Sequence, residues 1–494
     1  MEKVMEIKNS YLQTQEINVS LIMTTLKIGT FLALLNETII NVALSNLMEV
    51  FSVSANSIQW LTAGYMLIMG TFVPVTAYLI QRITTRQLFL SAMVIFLIGT
   101  VLAAAAQYFW VLLIGRLIQA VGTGVLLPLM MNTIMVLNPP EKRGSAMGSA
   151  LLIVLFAPAL GPTYAGLVMQ TINWRWIFIL IIPLTIISIL IGWFYLKNIT
   201  ATVKTKLDIV SLILSTIGFG ATIYGLNRVF SADSTGYLDM GLLMIGIAAI
   251  IAFTLRQLTI ANPLLNVRAF SYPMFSLGIV LITITYMVLF ANFVLMPMFI
   301  ENILGLTIFQ AGLAVLPGGI IGAILPPIFG KLYDRFGPRV IVPVGFAIMA
   351  SANFFIAGMT SSTNIVFPVI FYCCVIIGLA SLLTPSQTNT LNQLPAQYYS
   401  HGTAIMNTMM LIGSALGSSL FVGIMGYKQK VCLENNLTAL EALSSGIGFA
   451  YMFVAALAAM GMVLSLFFRR KTTGISGHIT NNIDKDLSQI GTDL

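Results

Sequence analysis

Hydrophobic and polar positions along this chain separate into long apolar runs joined by short polar connections. Fourteen runs are long enough to cross a bilayer core, which takes about 20 residues. They span roughly 21–48, 57–80, 86–107, 109–135, 145–169, 175–196, 209–228, 237–256, 272–300, 308–330, 339–360, 364–390, 402–426 and 446–468. Apolar residues surround most of each run, so the pattern predicts an all-α integral membrane protein. The longest connection on the sparsely charged side is expected from about Tyr427 to Ser445, and no soluble domain is expected. An even number of spans places both termini on one side.

One run carries a charge. Glu37 falls in the middle of FLALLNETIINVALSNL (31–47), where an ionisable group costs at least ~2.5–3.5 kcal/mol and ordinarily faces an interior cavity. At helical spacing Thr30, Glu37, Asn41 and Ser45 share one face, which makes a polar stripe. Arg116 is the arginine placed deep in a span, with Gln119 and Thr123 on its face. A buried guanidinium needs an acceptor, and Glu37 offers a carboxylate at depth. We expect Arg116 to favour deprotonated Glu37 in one conformation and to be separated from it in another. The bland alternative leaves Arg116 on backbone carbonyls as a structural tie, and Glu37 protonated against Asn41.

Composition sharpens this picture. The chain of 494 residues is 58% hydrophobic and 8% charged, against about 25% charged in a typical soluble domain. Its net charge of +8 does not signal a nucleic-acid partner. Arg82, Arg86, Lys142, Arg143, Lys197, Arg256, Arg268, Lys331, Arg335, Arg339, Arg469 and Arg470 all lie on one set of loops and ends. The opposite set holds Arg175, Arg228, Lys428 and Lys430. That bias predicts both termini in the cytoplasm. The polar start, residues 1–20, precedes a first run too long for a cleaved signal core and should be retained. Cys373, Cys374 and Cys432 give no disulfide framework. No Walker A loop is present, His401 and His478 cannot form an HExxH site, and no metal or cofactor is implied. Energy must then come from an ion gradient.

A faint repeat gives the domain plan. AYLIQRITTR (77–86) and GKLYDRFGPR (330–339) align Leu79, Arg82 and Arg86 with Leu332, Arg335 and Arg339. Each follows the second helix of a six-helix half, if spans seven and eight are an insertion. The expected division is 1–20 tail, 21–198 first bundle, 199–260 linker and inserted pair, 261–470 second bundle, 471–494 tail.

Several motifs in order then carry a resemblance over nearly the whole chain: LNETIINVAL (35–44), WLTAGYML (60–67), IGRLIQAVGTG (114–124), GSALLIVLFAPALGPTYAG (148–166), NWRWIF (173–178) and the segment 391–420. The sequence resembles the fourteen-helix drug:proton antiporter branch of the major facilitator superfamily. The resemblance implies a major facilitator fold of two six-helix bundles plus two central helices. It also implies a proton-coupling role for Glu37 and Arg116, with Asn36, Asn41 and Gln119 as polar support. The family often has aspartate at Asn36, and its first cytoplasmic loop usually has aspartate at Gln81. The second copy keeps Asp334, so a gate of Arg82, Arg86, Asp334, Arg335 and Arg339 is expected to be weaker on its first-half side. Gly148, Gly161, Pro162 and Gly166 match the antiporter motif, with Ala157 where glycine is usual. Gly318, Gly319, Pro326 and Pro327 on span ten invite the same close packing and kinking.

Aromatic faces and adaptable side chains suit hydrophobic cations. Tyr65, Phe156, Tyr286, Phe290, Asn292, Phe293, Gln387 and Asn389 are the candidate cavity lining, although packing explains most aromatics in any membrane protein. The expected function is export of hydrophobic, cationic compounds in exchange for protons by a monomer in a bacterial plasma membrane, among lipids. Two rivals are a dedicated exporter of one endogenous lipid, amino acid or antibiotic, and a non-transporting receptor.

Overall fold

A computed structural model describes residues 18–199, 208–229, 236–260 and 263–470, apart from a few side chains within helices, those of Asn41, Ser45 and Pro162 among them. The expected linker TATVKTKLD (200–208) and both tails fall almost wholly outside the described residues. The described chain is helical throughout. Its spans are α1 Val19–Phe51, α2 Trp60–Arg82, α3 Thr85–Ala104, α4 Phe109–Leu137, α5 Arg143–Thr171, α6 Trp176–Tyr195 and α7 Ile209–Val229. They continue with α8 Tyr237–Thr259, α9 Pro273–Asn302, α10 Ile308–Phe336, α11 Pro338–Ala357, α12 Val366–Asn392, α13 Tyr399–Glu434 and α14 Ala439–Ser465. Among the described residues, 12 helices are long and apolar enough to cross a membrane, and the apolar stretches of α5 and α7 are shorter.

Helix ends differ most from the hydropathy pattern on the carboxy-terminal side. The second repeat copy, expected as a loop after residue 330, is helical to Phe336 and stops at Gly337, whose φ of 73° suits a residue without a side chain. Asp334 and Arg335 therefore project from the last turn of α10. The expected outer loop 427–445 is mostly helix as well. α13 runs to Glu434, and α14 begins behind a capping box of Thr438 and Glu441. Polar turns prolong helices past the point where hydropathy fades, because backbone bonding and caps hold them.

Packing groups the spans. α1, α3, α4, α5 and α6 lean on one another, and α2 joins them through α4. α9 and α11–α14 pack together in the same way, with α10 held by α12. Two seams join the groups, one where α5 meets α10 and one where α2 meets α13. α7 pairs with α8 and rests against both α2 and α13, so it covers the second seam. α8 offers most of its surface outward.

Candidate functional site

α4 supplies the centre of the first site. Gly115 and Gly122 press onto α3, where a Cβ would lie 2.9 Å from Gly99 O or 2.5 Å from Ala92 O. This close approach buries Arg116, Gln119 and Thr123 against α1–α3. Arg116 is fully buried. Its Nη1 donates to Asn36 O at 3.0 Å, to Asn36 Oδ1 at 3.3 Å and to Gln119 Oε1 at 3.0 Å. Nη2 reaches the main-chain oxygen of Glu37 at 3.4 Å. The guanidinium lies 4.2 Å from the centre of the Tyr65 ring, a cation–π contact strengthened by desolvation. The Tyr65 hydroxyl is 2.6 Å from Thr123 Oγ1, and Gln119 Nε2 donates to Thr100 Oγ1 at 2.9 Å. Four helices thus share one polar knot.

Glu37 stands beside this knot, half-buried at the middle of α1. Ion pairs among the described residues join Arg228 to Asp239 and Arg256 to Asp208, so the expected Arg116–Glu37 side-chain pair is not made in this conformation. Carbonyl and amide oxygens occupy the guanidinium instead. Arg116 Nε and Asn36 Nδ2 are buried with no protein partner, which leaves donors facing the site. Of the expected polar support, Asn36 and Gln119 both touch Arg116, and the Asn41 side chain lies outside the described residues. α1 also carries Lys27, a charge about two turns from its start. Its Nζ donates to Ser149 Oγ of α5 at 2.8 Å.

The antiporter-motif glycines separate by neighbour. A Cβ on Gly148 would lie 2.5 Å from Pro326 O and 2.8 Å from Pro327 Cα, so it sets the approach of α5 to α10. Gly161 presses on Thr38, next to Glu37, and Gly166 has open space around it. On span ten, Gly318 packs on Tyr372 while Gly319 faces open space.

A second cluster closes the face carrying the basic loops. Asp334 accepts from the backbone N–H groups of Gly144 and Ser145, each at 2.8 Å. These are free donors at the start of α5, where the helix dipole also favours an anion. At the other seam the Gln81 amide is 3.0 Å from Ser400 Oγ and 2.8 Å from His401 Nε2, at the start of α13. The position expected to weaken the gate therefore bridges the two groups of helices. Arg143, which the sequence offers only as a loop charge, is buried between them. It donates to Asn392 Oδ1 at 2.7 Å, to Tyr399 Oη at 3.0 Å, and to Asn138 O and Met135 O. The arginines expected to form the gate stay local. Arg82 bonds Tyr78, Arg86 stacks on Trp193 at 4.9 Å, and Arg335 lies over Phe336 at 5.2 Å. Arg339 is exposed near the start of α11.

The candidate cavity residues scatter. Tyr65 lies under Arg116, and Leu411 of α13 packs against its cluster. Tyr286 and Gln387 approach each other at 3.5 Å, and Gln387 Oε1 is buried without a protein partner. Phe156 and Phe293 are exposed, and Phe293 pairs with the half-buried Phe290 at 5.6 Å. Asn292 donates its Nδ2 to Val288 O and Asn353 Oδ1 within its own group, while its Oδ1 is buried without a protein partner. Asn389 lies further off. It bonds Tyr333 and the Arg469 carbonyl at the basic-loop end of α12.

With this geometry in place, known proteins supply the family. The Major Facilitator Superfamily profile matches residues 26–418. The chain belongs to that superfamily. It is 39% identical over 466 residues to a lincomycin resistance protein, LmrB, of Bacillus subtilis, covering 92% of this chain and 97% of the relative. It is 26% identical over 422 residues to the multidrug export protein EmrB of Haemophilus influenzae, covering 85% and 82%. These relatives place it in the fourteen-helix drug:proton antiporter branch, and it is a membrane transporter, not an enzyme. The crystal structure of the human organic anion transporter MFSD10 superposes with a TM-score of 0.64 at 12% identity, covering 91% of this chain and all of the other. That superposition confirms the fold.

Proposed function

We propose that the protein exports hydrophobic, cationic compounds in exchange for protons by alternating access. Two six-helix bundles, α1–α6 and α9–α14, would rock about a central site, with α7 and α8 inserted between them. The observation that carries this reading is Glu37 beside the Arg116 knot. Among the described residues it is the one carboxyl group at mid-span, and a polar group at that depth ordinarily serves transport. Asn36 and Gln119 take up Nη1 of the guanidinium and no side-chain ion pair ties it to Glu37, so the carboxyl group can take a proton or a substrate cation.

The basic loops mark the cytoplasmic side on this reading. Contacts at Asp334, Gln81, Arg143 and Gly148 then close the cytoplasmic face, which corresponds to the outward-directed half of the cycle. Outward, Glu37 takes a proton and releases drug; inward, it loses the proton and accepts drug. One carboxyl group serving both ligands makes exchange of a monovalent cation electroneutral. The name of the 39%-identical relative makes lincomycin the first compound to test. A chain that moved lincomycin alone would be a dedicated exporter.

The test is proton release from acidified inside-out vesicles on adding ethidium or lincomycin, comparing wild type with Glu37→Gln. Release by wild type and none by a variant that still binds dye supports the coupling role. Normal exchange by the variant would remove Glu37 from the mechanism.

A further inference from the structure

His401 is buried in the first turn of α13, and donors surround it. Its Nδ1 lies 3.1 Å from the backbone N of Asn266, in the segment that returns from the inserted pair. A backbone N–H is a donor that no rotation converts into an acceptor, so Nδ1 must carry a lone pair. The ring proton then sits on Nε2, 2.8 Å from Gln81 Nε2, a nitrogen that also faces Ser400 Oγ and, at 3.2 Å, Ala77 O. Exchanging the amide's oxygen and nitrogen gives that proton its acceptor and gives up the Ala77 bond. Ser400 Oγ can donate to the same oxygen. One neutral imidazole thus ties together α2, α13 and the return segment from α8.

We propose that the Gln81–His401–Asn266 triad is a pH-sensitive latch, holding the basic-loop face shut only while His401 is neutral. A proton on Nδ1 would point at the Asn266 N–H, and the two donors cannot coexist at 3.1 Å. The imidazolium would also meet the positive end of α13.

Charged groups on the surrounding elements offer it no anion. They are Arg82 on α2, Arg268 just past Asn266, and Arg143 on α5, which holds the neighbouring Tyr399. Asp208, at the foot of the insertion, is occupied by Arg256 at 2.8 Å. Tyr78, Tyr398 and Tyr399 add only phenols. The sign follows directly. Closure is favoured above the ordinary imidazole range, about 6.5, and is lost as pH falls below it. On the alternating-access reading, an acid cytoplasm would hold the transporter open inward and restrain further proton entry.

The experiment reads the seam, not transport. Nitroxide labels at Gln87 and Gln397, both exposed and on either side of the α2–α13 seam, report its opening in nanodiscs from pH 8 to 5. Wild type should open as pH falls, the open-to-closed ratio rising up to roughly tenfold per pH unit below about 6.5. His401→Asn keeps an acceptor near Nδ1 but cannot titrate, so it should stay closed across the range. Asn266→Pro removes the N–H at a φ of −75° that proline tolerates, and should open more at pH 8 while losing the slope. Glu37→Gln should keep the slope. The latch is overturned if His401→Asn retains the wild-type pH response or if wild type shows none. A face that never opens, at any pH or with any substrate, would instead sink alternating access, while failed efflux with an intact pH response sinks only the coupling reading.

Discussion

The two closures of the basic-loop face occupy equivalent places and use different chemistry. At one seam the last turn of α10 lays a carboxylate across two backbone N–H groups at the start of α5. At the other, the last turn of α2 brings a neutral amide to a hydroxyl and an imidazole at the start of α13. The first is charge-assisted and shaped to a helix dipole, and such bonds are roughly twice as strong as neutral ones. The second is weaker, and its strength depends on the protonation of its partner. A duplicated architecture has therefore kept a firm hinge on one side and an adjustable catch on the other.

The contrast can be broken most completely by sterics. Gly148→Leu would drive a side chain into the Pro326–Pro327 backbone, so the α5–α10 seam should fail to close, seen as cysteine labelling of this face at all pH values. Asp334→Asn should cost about 2 kcal/mol of closure, roughly thirtyfold in the open-to-closed ratio by label distances. Gln81→Ala should cost about 1 kcal/mol, roughly fivefold, and equal effects from these two changes would erase the distinction.

The smallest effect belongs to a pair outside both closures. Arg256 bonds to Asp208 and holds its carboxyl group down at about 2, so the bridge stabilises the fold above the ordinary carboxylate range. That contribution fades as pH falls from about 4 toward 2, and because the pair is exposed to solvent screening it is small. Asp208→Asn should lower the melting temperature slightly at pH 7 and leave both closures alone.

What could be read in the residues follows from how unusual each one is in its surroundings. A glutamate and an arginine inside apolar runs stand out because lipid penalises them, and both reach the same knot in space. Asp334 was visible through the repeat, which aligns two helix ends. Arg143 and His401 were not visible, because a polar residue at the end of a span reads as a topology signal whether it points to water or to another helix. Lys27 lies two turns inside α1, where only the fold shows that its ammonium reaches Ser149 of α5. Asn292 and Asn389 lie on helices that would border a cavity, and only coordinates show their Nδ2 groups bonded to a neighbouring helix or a carbonyl. The last turns of α10 and α13 were lost because hydropathy measures lipid contact and not backbone bonding.

The position of α7 has a consequence for how cargo arrives. Compounds dissolved in the bilayer can enter a transporter sideways, through a gap between its moving halves. α7 leans on α2 and α13 together, so that flank is shuttered by protein with α8 behind it. Among the described residues no inserted helix crosses the opposite flank, and Gly312 and Gly319 of α10 are exposed there. On the alternating-access reading, a hydrophobic passenger coming sideways would meet inserted protein on one flank and only the α5–α10 seam itself on the other.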